Sequence, residues 1–422
     1  MTVALPSVSE DGAKPSVLLL HMAFGGQFEF LGKWLAANGW DVTLAYSADV
    51  VERFEDGIRV MGFHPRRTTI EKNNFRYPLD YAACNALGAA ELFYRLRHQR
   101  GYIPDVVIAH VGWGVGLCVK QIWPETRYIA YHEWYYTDRD WRGGGRAERP
   151  STLSSVIVDR MRNLPIIAEF DSADANWCPT DYQASRFPPS LRPLLQVVSD
   201  GVDCQTHRPD PDAHLDFDWL SLPPGTPVVT YATRGMEPLR GFPQFLRAVE
   251  VLQRRRDDLH AVVLADDKVC YGDKLPADTS WRLRMIDELA LDHGRLHIFP
   301  MQARPEYQRL LQASWAHIYF SEPFVTSWSL SEAMATGCYV VGSDTPTVTE
   351  LLEDFETGAV VDMDDANEVA DAVEWALDHR TEARAIGAKA RAFILEKHDS
   401  RVVFARKEEM MRVLIGNSQG GR

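Results

Sequence analysis

Two stretches of this chain have the residue types and spacing to handle a phosphorylated ligand. Arg234 and Arg240 stand six residues apart in TRGMEPLRG, directly after the apolar run PVVTYA. Guanidinium forks grip phosphate oxygens in two-pronged fashion and keep their charge. Two of them on one loop suit the counter-charge of a diphosphate, although two solvated loop arginines would read the same way. The second stretch is SEPFVTSWSLSEAMATG, residues 321–337, which follows the apolar run AHIYF. Its pattern predicts a helix stopped at Gly337, with Ser327 or Ser329 as cap on either side of Trp328, and first-turn amides aimed at an anion. Glu332 falls about one turn inside, where it can accept hydrogen bonds from ribose hydroxyls. An ordinary capped helix whose glutamate offsets the dipole fits equally.

The first half offers a matching set. Gly25 and Gly26 follow the apolar run SVLLLH and precede a helical pattern, so a ligand's phosphate can approach the backbone there. The pair is also what a tight strand-to-helix turn needs. It is not G-x-G-x-x-G, and no acidic residue ends the next strand, LAYS, so a dinucleotide fingerprint is absent. His110 ends the run VVIAH, where a histidine can serve as a general base or as a sugar-hydroxyl partner. After the next run, RYIAYH, come His132, Glu133, Trp134 and Tyr135, whose rings and polar tips suit an acceptor sugar or, equally, a core. Asp138 and Asp140 form an Asp-x-Asp pair, which can hold a divalent metal on a diphosphate. With two arginines available, a metal is not required, and no cofactor is expected.

Elements that place such residues just after strands are legible in the periodicity. Both halves open with a buried strand, a Gly-containing loop and an amphipathic helix, and both continue as alternating strands and helices. That order predicts two doubly wound α/β domains with parallel sheets, facing across a cleft, with ligands at the carboxyl ends of the strands. The expected division is a disordered tail over 1–15, an N-terminal Rossmann-like domain over 16–199, a second over 200–395, and a final helix over 396–422. The Pro- and Asp-rich stretch 187–227 reads as a linker without packed elements.

Composition narrows the classes. The chain has 422 residues and a formal net charge of −14, a poor balance for binding nucleic acid. No apolar run is long enough to span a bilayer, and the N-terminus lacks the order of a signal peptide. Six cysteines without C-x-x-C spacing suggest buried thiols in a reducing compartment, not a zinc or thioredoxin-like centre. A soluble, cytoplasmic protein is expected.

Taken together, these residues resemble the retaining family 4 glycosyltransferases of GT-B fold. The likeness rests on the order of the Gly25–Gly26 loop, the post-strand His110, SDGVD (199–203), the loop from Arg234 to Gly241, and PFVTSWSLSEAMATG with VVGSDTPTVTEL after it. The resemblance implies that the C-terminal domain binds a nucleotide-sugar donor, with Arg234 and Arg240 on its diphosphate, Glu332 on its ribose, and Ser327, Trp328 and Ser329 nearby. It implies an acceptor on the N-terminal domain, Gly25 and Gly26 against the donor phosphate, His110 at the transferred sugar, and a last helix that crosses back. The family's pair of glutamates is separated by seven residues, which puts Phe324 at the first position. Either Ser327–Trp328 is an insertion and Glu322 still serves, or the first glutamate is missing. LADDKV (264–269) also stands where a glycine-rich stretch is usual, and two aspartates beside a diphosphate would repel it.

The implied activity is a retaining hexosyl transfer in polysaccharide or glycoconjugate assembly. The catalytic set would be His110, Arg234, Arg240 and Glu322, and the acceptor a glycan or glycolipid. A lipid-linked acceptor would bring peripheral contact with the inner membrane. A nucleotide-sugar epimerase and a non-catalytic partner subunit are the alternative readings.

Overall fold

The structure is a computed structural model that describes residues 14–24, 26–49, 52–137, 152–272 and 275–416. Among these, eight strands form an N-terminal sheet: β1 (Ser16–His21), β2 (Asp41–Ser47), β3 (Arg53–Glu55), β4 (Ile58–Phe63), β5 (Val106–His110), β6 (Arg127–Tyr131), β7 (Ala175–Cys178) and β8 (Leu195–Val197). Their spatial order is β3-β4-β2-β1-β5-β6-β7-β8. All neighbours are parallel except the β3–β4 hairpin. The central strands are apolar on both faces, as a sheet covered on both sides requires: Val17–Leu20 and Val106–Ala109 are fully buried. Helices α1 (Glu29–Ala37), α2 (Tyr77–Arg100), α3 (Val119–Ile122), α4 (Leu153–Ser172) and α5 (Asp181–Ser185) connect them.

The short strands β9 (Asp216–Phe217) and β10 (Leu220–Ser221) form an antiparallel pair of their own. Six strands then build the C-terminal sheet: β11 (Val228–Gly235), β12 (His260–Asp266), β13 (Leu296–Phe299), β14 (Ala316–Tyr319), β15 (Val340–Ser343) and β16 (Ala359–Val361). The order is β13-β12-β11-β14-β15-β16, parallel throughout. Its helices are α6 (Phe242–Arg255), α7 (Trp281–Glu288), α8 (Arg304–Ala313), α9 (Trp328–Thr336), α10 (Pro346–Thr349), α11 (Ala366–Asp378) and α12 (Arg380–Lys397). In both sheets the strand order reverses beside the first strand, β1 or β11, and ligand crevices open at such points.

The last helix, α13 (Ser400–Gly416), lies on the N-terminal domain. Phe404 meets Trp34 of α1 at 6.2 Å, and the Trp40 indole donates to Glu408 at 3.0 Å. Residues 417–422 and 1–13 of the expected terminal segments lie outside the described residues.

The stretch 187–227 corrects the linker expectation. It contributes β8 to the first sheet, and Leu215 and Leu222 are buried in a cluster with Val228, Leu264 and Leu310. Prolines and aspartates there shape turns between packed pieces. Of the cysteines, Cys178, Cys204 and Cys338 are buried and all six are free.

Candidate active site

The two domains face each other across a cavity of about 1310 Å³, and a second of about 850 Å³ lies beside it toward the crossover segments. Gln27, Glu133 and Val325–Trp328 line both. The ends of β1, β6 and β11 and the loop before α9 supply most of the wall, as post-strand loops in such sheets do.

Arg240 is the best-held cation in the larger cavity. Its guanidinium donates to Ser321 Oγ at 2.8 Å and to the Val325 carbonyl at 3.0 Å, and it sits over the Tyr271 ring at 5.5 Å and the Phe324 ring at 5.9 Å. Burial with fixed partners makes it a preorganised charge. Arg234 lines the same cavity from a more exposed position, and donates to the Tyr271 hydroxyl at 3.3 Å. The loop that carries both is fastened by Glu237. Its carboxylate accepts from the Cys270 and Tyr271 amides at 2.6 and 2.7 Å, and burial pushes its pKa up against the pull of those amides and of Arg240 and Arg234. At Gly241 φ is +71°, and a Cβ would meet Phe320 Cβ at 2.4 Å, so only glycine closes this turn.

Ser327 caps α9, accepting from the Ser329 amide at 3.4 Å, while Ser329 itself donates to Ser327 and lines neither cavity. Glu332 lines the smaller cavity. Its two oxygens face the Tyr307 hydroxyl, at 2.9 Å, and His207 Nε2, at 3.6 Å. Burial lowers the His207 pKa, and nearby Glu332 and Asp203 only partly restore it. Trp328, between the two cavities, donates its indole N–H to Asp200 at 2.9 Å.

On the N-terminal side the geometry redistributes the expected roles. Gly26 lines the cavity, but a Cβ there would run into the His21 ring at 2.6 Å; histidine packing already explains the glycine. Gly25 lies outside the described residues. His110 is buried and lines neither cavity, because His21, Trp113 and Glu133 stand between it and the space. It stacks on Trp113 at 4.3 Å, and its Nε2 lies 3.5 Å from Glu133. The residue placed at the wall is His21, at the end of β1. It shares a hydrogen bond with Gln27 at 3.0 Å, and Gln27 donates to Glu133 at 2.7 Å. Burial, with His110 adding, pulls the His21 pKa down to about 4, so it is neutral. Burial raises the Glu133 carboxyl, but His110, His21 and Gln27 outweigh this and hold it below the usual range.

Among the residues expected to meet an acceptor, Glu133 and Trp134 line the larger cavity. His132 and Tyr135 do not. His132 pairs with Asn176 at 2.7 Å and stacks on Phe170 at 3.8 Å, and burial drops its pKa to about 3; Tyr135 packs against Phe187 in the same core. The backbone after β6 turns these two side chains inward and their neighbours outward. Glu322 needs the same correction. It is buried under the Leu239–Gly241 turn, its amide donating to the Leu239 carbonyl at 2.8 Å, and Phe324 holds the place in the wall.

Asp266 and Asp267 point away from the cavities. Asp266 takes Lys268 and the Met301 amide, and Asp267 takes Ser280, while Cys270, Tyr271 and Gly272 form the wall. Asp138 and Asp140 lie outside the described residues, and no metal-ligating group of three or more His, Cys, Asp or Glu occurs among the described ones. Sequence reasoning passed over His21, Gln27, Trp113 and Tyr271. Only the post-strand position of His21 offered a signal for any of them.

Two family models match this chain: the glycosyl transferase family 4 group over residues 38–207, and glycosyl transferases group 1 over residues 220–393. The chain is 25% identical over 240 residues to a GDP-mannose-dependent alpha-(1-6)-phosphatidylinositol monomannoside mannosyltransferase of Mycolicibacterium smegmatis, covering 54% of this chain and 60% of that one. It is 29% identical over 250 residues to D-inositol 3-phosphate glycosyltransferase of Nocardia farcinica, covering 58% and 52%. The matched regions thus span 52–60% of these relatives' lengths.

Among solved structures, sucrose-phosphate synthase from Thermosynechococcus elongatus superimposes with a TM-score of 0.74 at 17% identity, over 96% of this chain and 100% of that one. Anabaena HepE, solved with UDP and glucose, gives 0.65 at 14% identity over 94% and 100%. These likenesses show the shared GT-B fold. Two glycosyl transferase models, the family 4 group and group 1, thus cover the two domains between them, and the chain belongs to the family 4 glycosyltransferases.

Proposed function

We propose that this protein transfers a sugar from a nucleoside diphosphate to an acceptor hydroxyl with retention of anomeric configuration, in the assembly of a polysaccharide or glycoconjugate. The observation that carries this reading is Arg240, a buried guanidinium fixed by Ser321 and Val325 at the wall of an interdomain cavity that also presents Arg234 and the Ser327-capped start of α9. Negative charge grows on the departing diphosphate as the sugar becomes oxocarbenium-like. Fixed cations and helix-end amides stabilise that charge more in the transition state than in the ground state. The arginines supply the counter-charge, so the reading requires no metal.

Glu332, with Tyr307 and His207 behind it, is the proposed ribose contact. Glu133 and Trp134, beside His21 and Gln27, are the proposed acceptor-side contacts. Glu133 is tied to Gln27 and His110, which suits a hydrogen-bonding role and not that of a nucleophile. Retention then follows from same-face displacement, with the leaving phosphate taking the acceptor's proton. The curated relatives include GDP-mannose-dependent enzymes that act on a lipid, which favours a glycolipid acceptor here.

The test is a thermal-shift panel of nucleoside diphosphates, followed by a transfer assay with the matching sugar nucleotides and NMR of the product anomer. One base should stabilise above the others, and the product should keep the donor's configuration. Inverted product would overturn retention. Alteration of the sugar nucleotide without acceptor would indicate an epimerase, and binding without turnover a partner subunit.

A further inference from the structure

Four segments of different origin meet at one carboxylate. Asp200 lies in the crossover segment that leaves the N-terminal domain. Its Oδ1 accepts from the Tyr131 hydroxyl at 2.7 Å, at the end of β6. Its Oδ2 accepts from the Trp328 indole N–H at 2.9 Å, at the first residue of α9. Lys407 of the returning helix α13 places Nζ 4.0 Å from Oδ1 and lies over the Trp177 ring at 5.8 Å. Lys407 is buried, and Tyr131 and Trp177 are too.

The surroundings are the crossover between the two domains. The two crossover segments run side by side: the Val202 amide donates to the His398 carbonyl at 2.8 Å, the Ser400 amide to the Val202 carbonyl at 2.9 Å, and His398 Nδ1 lies 3.0 Å from Ser199 Oγ. Gly201 has φ +83°, and a Cβ there would meet Ser400 Cα at 3.0 Å. The residues on both sides of Asp200, Ser199 and Gly201, are thus confined. The carboxylate is the point where crossover, β6, α9 and α13 register against one another.

We propose that Asp200 is a positioning residue: through its hydrogen bond to Trp328 it ties the orientation of α9 to the position of the crossover, so that donor binding and domain closure are one event. The inference rests on the reading of α9 as the donor helix. Two bonds divide the labour. The Asp200–Lys407 pair balances a buried charge, and removing one partner strands the other. The Asp200–Trp328 bond carries the geometry, because an indole N–H has one donor in a fixed direction.

The experiment separates these roles. Asp200→Leu, which leaves no acceptor for the indole N–H, Lys407→Met and the double variant are compared in full-length protein for melting temperature, for affinity toward GDP and UDP by calorimetry, and for transfer. Asp200→Leu should melt lower, since Lys407 loses its counter-charge. The double variant should regain most of the melting temperature yet bind the preferred nucleoside diphosphate roughly tenfold more weakly, the scale of one hydrogen bond to a charged group. Trp328→Phe should weaken binding similarly, and adding it to the double variant should cost little more, because both changes remove one bond. A double variant with wild-type affinity, or additive losses, would overturn the proposal and leave Asp200 as charge balance alone. Because nucleoside diphosphate affinity is the primary readout, a wild-type protein without transfer activity would count against the proposed reaction and not against this coupling.

Discussion

At the residue scale, Arg240 and Arg234 separate by burial. Arg240 is held by two hydrogen bonds and two aromatic faces, whereas Arg234 has one long contact to Tyr271. A charge already oriented costs no reorganisation as the leaving group develops its own. Arg240→Gln is therefore expected to lower kcat by about 100-fold or more, the scale of losing one preorganised transition-state donor. Arg234→Gln should cost less in kcat and more in donor KM. Steady-state kinetics with the preferred donor checks both. Arg240→Lys is expected to recover only part of the rate, since an ammonium cannot reach Ser321 and Val325 with a fork.

At the element scale, turns and helix contacts hold the wall in place. Gly241 ends the arginine loop and opens α6, with no room for a Cβ against Phe320. Gly241→Ala is expected to cost about 1–3 kcal/mol of stability, the range for a forced left-handed residue, before counting the clash. Denaturant unfolding reads this, and activity should fall along with it because Arg240 is the preceding residue.

A second element-scale device lies beneath the loop that carries Trp113. Glu169 of α4 is buried and accepts from the Tyr128 hydroxyl, with the Gly112 backbone also bonding to it. A Cβ at Gly116 would strike both Tyr128 and Glu169. Burial pushes the Glu169 pKa from 4.5 up to about 8, against those two hydrogen bonds. The fold therefore favours the protonated form. Its contribution to stability is complete below pH 4.5 and is lost as pH rises through about 8. Melting temperatures across that window should fall more steeply for the wild type than for Glu169→Gln, whose neutral amide no longer titrates there. Parallel slopes would remove Glu169 from the account.

At the scale of the whole molecule, contacts across the cleft hold the domains together. Both oxygens of Glu350, in the C-terminal domain, accept from the first amides of α5 in the N-terminal domain: Asp181 at 2.7 Å and Tyr182 at 2.8 Å. Arg304 of α8 sits over Phe30 of α1 at 4.8 Å, and Trp134 meets Phe324 at 5.1 Å. A carboxylate on helix-end amides loses much of its hold when neutralised. Glu350→Gln is expected to shift the solution ensemble toward an open form, with a larger radius of gyration by small-angle X-ray scattering and partial recovery on adding nucleoside diphosphate. Donor hydrolysis relative to transfer should rise, because closure is what keeps water out.

What the sequence by itself determined was the architecture. Alternating buried strands and amphipathic helices dictate two parallel sheets, and residues of short motifs fixed to strand ends, such as Arg234, Arg240, Ser327 and Glu332, line the cavities because local backbone sets where they stand. Tertiary structure decided the rest. Whether a residue after a strand turns to the cleft or to the core depends on packing from distant segments. Phe170 and Phe187 take His132 and Tyr135 inward, the Leu239–Gly241 turn covers Glu322, and Trp113 and His21 screen His110. The Asp200 carboxylate shows the same limit: Asp200, Trp328, Tyr131 and Lys407 are far apart in the chain, and no spacing rule joins them. Their encounter is a product of two domains and a returning helix closing on one point, information that a one-dimensional pattern does not carry.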